Sequence, residues 1–201
     1  MTTSSWATYP DLADKRVVIT GGGSGIGAAF VEAFAAQGAR VSFLDIAKAD
    51  GLALQEQLKN AKHPPKFVHC DLTDLDGVAS VFDAIHKDAG ATDILVNNAA
   101  NDVRHNISEI TSAKWDASIA VNLKHLFFCS QAVVPGMKAR GGGAIINLGS
   151  ISWHLALPNL TMYMTAKAGI EAMTRGMARD FGVDNIRVNC IIPGTTACEQ
   201  K

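Results

Sequence analysis

Residues 16–37 run from a β-branched stretch, RVVIT, through a turn of small residues, TGGGSGIG at 20–27, into an Ala-rich stretch that Gly38 closes. No other segment restricts the fold as strongly. A short apolar strand, a glycine turn and a helix are the opening of a strand–helix–strand unit, and parallel strands joined in this way need a crossover that a helix normally supplies. The same alternation then repeats along the chain.

Residues 40–44 form a second strand ending at Asp45; a polar helix over 50–61 follows, stopped by His63, Pro64 and Pro65; residues 66–70 give a third strand. Next come a helix over 74–89, a strand over 93–96, a long helix over 111–140 with Pro135 near its end, and a strand over 144–148. A helix over 161–182 and a strand over 186–192 complete the pattern. The expected fold class is α/β, with a single Rossmann-like, doubly wound parallel sheet covered by helices on both faces. Residues 1–14 read as a loose leader and 15–201 as one domain, since no repeat or linker divides them.

Composition narrows the partners. With 48% hydrophobic and 18% charged residues the chain suits a packed globule, and a net charge of -1 with no dense Lys/Arg tract points away from nucleic acid and anionic membranes. Residues 141–166 carry no Asp, Glu, Lys or Arg, but Gly141, Gly142, Gly143, two asparagines and Pro158 argue against a membrane span. No basic and apolar signal opens the chain, and Cys70, Cys129, Cys190 and Cys198 are too far apart for a CxxC or a metal-ligand cluster. A cytoplasmic protein with reduced thiols, no metal and a small-molecule substrate is expected.

Gly21, Gly25 and Gly27 lack the Cβ atoms that would keep backbone N–H groups and a helix N-terminus away from a pyrophosphate. Asp45 lies about 20 residues on, at a strand end, where a carboxylate accepts hydrogen bonds from adenosine ribose hydroxyls. It would repel a 2′-phosphate, and the turn holds no Arg or Lys to neutralise one, so NAD is expected over NADP. Tyr163 and Lys167 share one helix face at i, i+4, where an ammonium can favour the ionised phenol and bring it toward service as a base. Ser150 ends the preceding strand, at the sheet edge where open α/β folds place ligands; its hydroxyl can hold a substrate oxygen, with Ser152 as a competing serine. Asn122 sits mid-helix, where an amide is unfavourable unless used, so a structural hydrogen bond and a proton relay both stand open.

Taken in order, TGGGSGIG, Asp45, CDL at 70–72, NNAA at 97–100, Asn122, Ser150, YMTAK at 163–167 and IIPG at 191–194 resemble the short-chain dehydrogenase/reductase family. The resemblance covers nearly the whole chain. It implies a catalytic tetrad of Asn122, Ser150, Tyr163 and Lys167: Tyr163 as general acid/base, Ser150 orienting the substrate oxygen, Lys167 on the nicotinamide ribose, Asn122 holding a water. It implies a cofactor site of Gly21, Ser24, Gly25, Ile26, Gly27, Asp45, Asp71, Leu72, Asn98, Tyr163, Lys167, Pro193 and Gly194. Within the family, VVITGGGSGIG, FLDIA, LVNNAAND, GSISWH and TAKAGIEAMTR resemble the bacterial NAD-dependent aldose 1-dehydrogenases. That implies oxidation of D-xylose or a similar pentose at C1 to an aldonolactone, with Asn101, Trp153 and His154 joining Ser150 and Tyr163 around the sugar. It also implies a homodimer or homotetramer built on the helices at 111–140 and 161–182.

Two departures from the family pattern carry expectations. Ala100 stands where a glycine is usual, a change the turn is expected to tolerate. The chain ends at TTACEQK, short of the family's substrate lid and last strand, which leaves the strand at 186–192 as an open edge. The alternatives to an aldose dehydrogenase are a short-chain reductase of another alcohol, ketone or acyl substrate, and a truncated, catalytically silent NAD-binding protein.

Overall fold

In β1 (Arg16–Thr20), Val17, Val18, Ile19 and Thr20 are all buried, which marks a strand covered on both faces rather than one. The computed structural model describes residues 7–195, so residues 1–6 of the expected leader, and Cys198 with the last residues of the expected domain, lie outside the described residues. After β1 come α1 (Gly25–Ala36), β2 (Arg40–Asp45), α2 (Lys48–Gln57), β3 (Lys66–His69), α3 (Leu75–Ala89) and β4 (Ile94–Asn97). Then follow α4 (Ser112–Ile119), α5 (His125–Ala139), β5 (Gly143–Leu148), α6 (Thr161–Phe181) and β6 (Ile186–Ile191).

The six strands are parallel and lie in the order β3-β2-β1-β4-β5-β6. The order reverses direction between β1 and β4, opening a crevice at the strands' carboxyl ends, where such sheets take ligands. Alternation along β1 divides the core. Val17 and Ile19 pack with Val41, Phe43, Val96, Val31 of α1 and Leu54 of α2. Val18 faces the other way, onto Leu95, Ile145, Phe82 of α3, Val133 and Met137 of α5, and Met177 of α6. The α/β/α expectation is met, with β3 and β6 as sheet edges among the described residues.

The long helix expected over 111–140 is not regular. It is α-helical at Ser112–Ile119, widens to a π-helical stretch at Ala120–Lys124, and resumes as α5, which passes through Pro135. By length and composition Ser112–Ala139 is apolar enough to cross a membrane, yet Leu126, Cys129, Val133 and Met137 on it are core residues against the sheet. Elsewhere the boundaries differ by a residue or a turn, as with α2, which spans Lys48–Gln57 rather than 50–61.

Candidate active site

The glycine turn is folded back on itself. Gly21 has φ +65°, and a Cβ there would lie 2.6 Å from the Ala99 Cα; a Cβ at Gly27 would overlap the Gly21 carbonyl oxygen. Close backbone packing, not flexibility, demands glycine at both positions. The turn delivers the chain into α1, whose N-cap Ser24 makes no side-chain cap and whose first turn holds no acidic residue. The leading N–H groups and the positive end of the helix are thus left for an anion. Asn98 braces the turn from below, its Nδ2 donating to the Gly21 carbonyl at 2.8 Å and the Thr20 carbonyl at 3.2 Å.

A depression of about 470 Å³ runs from Ser24, Gly25 and Ile26 past Asp45, Asp71 and Leu72 to Asn98 and Asn101. Asp45 Oδ2 accepts from the Gly23 N–H at 2.8 Å and Oδ1 from the Ala47 N–H at 2.9 Å. Each oxygen keeps a further lone pair for a ribose hydroxyl. A second depression of about 390 Å³ shares Ile26, Asn98 and Ala100 with the first and holds Ser150, Ser152, Tyr163, Lys167, Pro193 and Gly194. Through these shared residues the two form one cleft across the β1/β4 switch point. A pyrophosphate-sized cradle without Cβ atoms, a strand-end carboxylate and buried polar groups at the far end fit a nicotinamide dinucleotide. Ala100 does not adopt positive φ, so the methyl in place of glycine is accommodated without strain.

At the far end, Ser150 follows β5, and its Oγ accepts from the Ser152 N–H at 3.1 Å, which leaves the hydroxyl proton free to donate. Ser152, though buried with no partner for its own hydroxyl among the described residues, is thereby the brace and Ser150 the presented group. Lys167 is 2% exposed; its Nζ donates to the Leu148 carbonyl at 2.7 Å and lies 5.3 Å from the Tyr163 ring centre. Burial pushes the Lys167 ammonium down to about 8, against the pull of Cys190 and Asp102.

Tyr163 departs from expectation. Burial raises its phenol above the ordinary value; Ser150 favours ionisation, while the Asp102 carboxylate opposes it. The ammonium of Lys167, 5.3 Å from the ring centre, does not outweigh the loss of water around the phenol.

Asn122 answers the question its mid-helix position posed. It is 1% exposed, in the π-helical stretch, and its Oδ1 accepts from the Asn101 N–H at 2.8 Å while its Nδ2 donates to Ser118 Oγ at 3.4 Å. Its amide clamps the loop after β4, the structural hydrogen bond of the two expected roles. Asn101 lines the cofactor end of the cleft rather than the catalytic end. Trp153 and His154 do not line the cleft: Trp153 Nε1 donates to Glu171 Oε1 at 2.5 Å, His154 Nε2 meets the same oxygen at 3.1 Å, and the two rings stack 3.8 Å apart. Their polar atoms are committed to a carboxylate on α6, so the sugar-pocket expectation for these two is corrected. The groups that line the catalytic end instead are Asp102, Arg104, Leu157 and Leu160. Sequence reading passed over them because neither a charged nor an apolar loop residue carries a local mark of the pocket it enters.

The fold and cleft define a Rossmann-type oxidoreductase acting through a nicotinamide cofactor. Residues 15–201 match the family model for short chain dehydrogenase, and the chain belongs to that family. It is 55% identical to the D-xylose 1-dehydrogenase of Caulobacter vibrioides (strain NA1000 / CB15N) over 98% of this chain and 78% of the relative. It is 48% identical to a Rhizobium meliloti (strain 1021) protein named probable galactose dehydrogenase, over 96% of this chain and 76% of that one. A solved structure assigned as a short-chain alcohol dehydrogenase from Sinorhizobium meliloti 1021 superposes with a TM-score of 0.89 at 31% identity, covering 94% of this chain and 75% of its own.

Proposed function

We propose that the chain is a cytoplasmic sugar dehydrogenase that oxidises an aldose, D-xylose or a related pentose, at C1 with NAD and releases the aldonolactone. The observation that carries the reading is 55% identity to a D-xylose 1-dehydrogenase across 98% of the chain, a span that includes every residue of the cleft. Asp45 supports NAD: a second negative charge from a 2′-phosphate would face its carboxylate without an Arg or Lys in the turn to offset it.

The chain's own residues divide the work. The Ser150 hydroxyl donates to the substrate's C1 oxygen and orients it toward Tyr163. Tyr163 Oη takes the proton of that hydroxyl as the carbon is oxidised. Lys167, charged below about pH 8 and fixed by the Leu148 carbonyl, passes the proton on and holds the ribose. NAD, when bound, supplies the hydride acceptor and a positive ring that favours the phenolate.

Aldoses and simple ketones or ring alcohols, each tried with NAD and NADP and followed by nicotinamide absorbance, test the reading, with hydroxylamine trapping the lactone. Turnover of pentoses with NAD is expected, and Tyr163→Phe is expected to lower kcat about 10²–10⁴-fold with the fold intact. Preference for an alcohol without an anomeric carbon would replace the aldose, and NADH binding without any turnover would leave a silent binder.

A further inference from the structure

The loop after β4 brings a charge into the catalytic end of the cleft that the proton chemistry does not use. Asp102 lines that end with Arg104, Ser150, Tyr163 and Lys167. The loop is pinned on both sides of it. The Asn101 N–H donates to Asn122 Oδ1 at 2.8 Å and the Val103 N–H to Asn101 Oδ1 at 3.1 Å. Beyond it, Arg104 Nη1 donates to the Pro158 carbonyl at 2.9 Å and the His105 N–H to the Asn159 carbonyl at 2.9 Å. Asp102 itself is exposed, and among the described residues its carboxylate makes no hydrogen bond or ion pair, although every neighbour on the loop is engaged.

This placement works against the base. After burial, the carboxylate is what holds the Tyr163 phenol up, so proton abstraction alone would favour a neutral residue here. An unpaired carboxylate on a pinned loop beside the reacting centre makes sense if it grips something in the cleft. Carboxylates only accept, and two oxygens can take two hydroxyl donors of one ring, in charge-assisted bonds stronger than neutral ones. We infer that Asp102 is a specificity-determining residue that accepts hydrogen bonds from ring hydroxyls of the sugar away from C1, and so selects polyhydroxylated substrates. The inference rests on the aldose reading above and deepens it.

Asp102→Asn keeps the shape and removes the charge. For D-xylose, KM is expected to rise at least about tenfold with a smaller change in kcat. The decisive quantity is the ratio of kcat/KM for D-xylose to that for 2-hydroxytetrahydropyran, which has the same anomeric carbon and no other ring hydroxyl. That ratio is expected to fall at least about tenfold in the variant. The rise in melting temperature that D-xylose gives the NADH-saturated protein should be lost, a readout independent of turnover. The acid limb of the pH profile should also move to lower pH, since the charge opposing the phenolate is gone. The groups facing Asp102 whose titration enters that limb are Tyr163 and Lys167 on α6, with Arg104 as a fixed charge on its own loop and Cys190 of β6 next to Lys167. A ratio within about twofold of the unaltered protein's, or intact D-xylose protection, overturns the inference while the aldose reading stands. If the unaltered chain turns over no aldose, both fall.

Discussion

His125 shows what a single residue contributes that neither motif nor cleft reveals. It is fully buried at the start of α5, and among the described residues its ring nitrogens find only backbone carbonyls one turn back, Ala120 foremost, without well-aligned hydrogen-bond geometry. Burial pulls it down to about 4; the Lys167 ammonium adds to the effect and the Ala120 carbonyl partly offsets it. The imidazole is therefore neutral in the fold across physiological pH. Its folded value lies below the unfolded value of about 6.5, so the unfolded chain binds the extra proton between the two. Stability is full above about 6.5 and falls as the pH drops toward 4, by on the order of 3 kcal/mol for such a shift. Replacing the ring with an apolar side chain, His125→Leu, is expected to flatten this loss, read as the difference between melting temperatures at neutral and acid pH. An equally steep fall in the variant would assign the acid sensitivity to other groups. The same balance of burial against charge explains the Tyr163 correction: i, i+4 spacing places an ammonium near a phenol, but the water lost on burial holds the phenol above its ordinary value.

At the scale of elements, the π-helical stretch at Ala120–Lys124 is the feature on which the site turns. Sequence patterning reads 111–140 as one regular helix, because a slip of the hydrogen-bond ladder by one residue leaves the spacing of apolar positions almost unaltered. The slip accompanies an inward turn of Asn122, whose Oδ1 partner is the N–H of Asn101, 21 residues earlier. Asn122→Leu would leave that donor and its loop without an acceptor, at a cost of about 1–3 kcal/mol in urea unfolding. Because the Asn101 loop also carries Asp102, KM for the sugar should rise with it, and a variant that lost stability alone would separate the clamp from the pocket. The amide network behind the site is equally long-range: Asn97 Nδ2 donates to Asn147 Oδ1 at 2.9 Å, and Asn147 Nδ2 to Thr174 Oγ1 at 3.0 Å, tying β4, β5 and α6 together.

Across the whole molecule, both strands flanking the switch point are deeply buried, while Trp115 on α4 and Phe127 on α5 are 39% and 46% exposed. Large aromatic groups on the outer side of that helical rod support the proposal that copies of the chain associate there, as a dimer or tetramer. Sedimentation should show at least a dimer, and Phe127→Glu should shift the population toward monomer; a monomeric unaltered chain would refute this. A further depression of about 500 Å³ lies at the opposite, amino ends of the strands, among Asp14, Arg16, Arg40, His63, Lys66 and Asp88. Its charges pair largely with one another, Asp14 with Arg40 and His63, and Lys66 with Asp88, and it lies away from the cofactor cleft.

Sequence alone determined the order of strands and helices along the chain, the glycine cradle and the strand-end Asp45, because each rests on local spacing or on a turn that admits few residue types, and its motif order pointed to Ser150, Tyr163 and Lys167, which the fold brings to one depression. Tertiary structure alone decided that Trp153 and His154 turn to Glu171, that Asp102 enters the cleft, that the long helix widens at Asn122 and that burial holds the phenol up. These depend on partners distant in the chain and on how much water each group loses, and neither quantity is written in the spacing of residues.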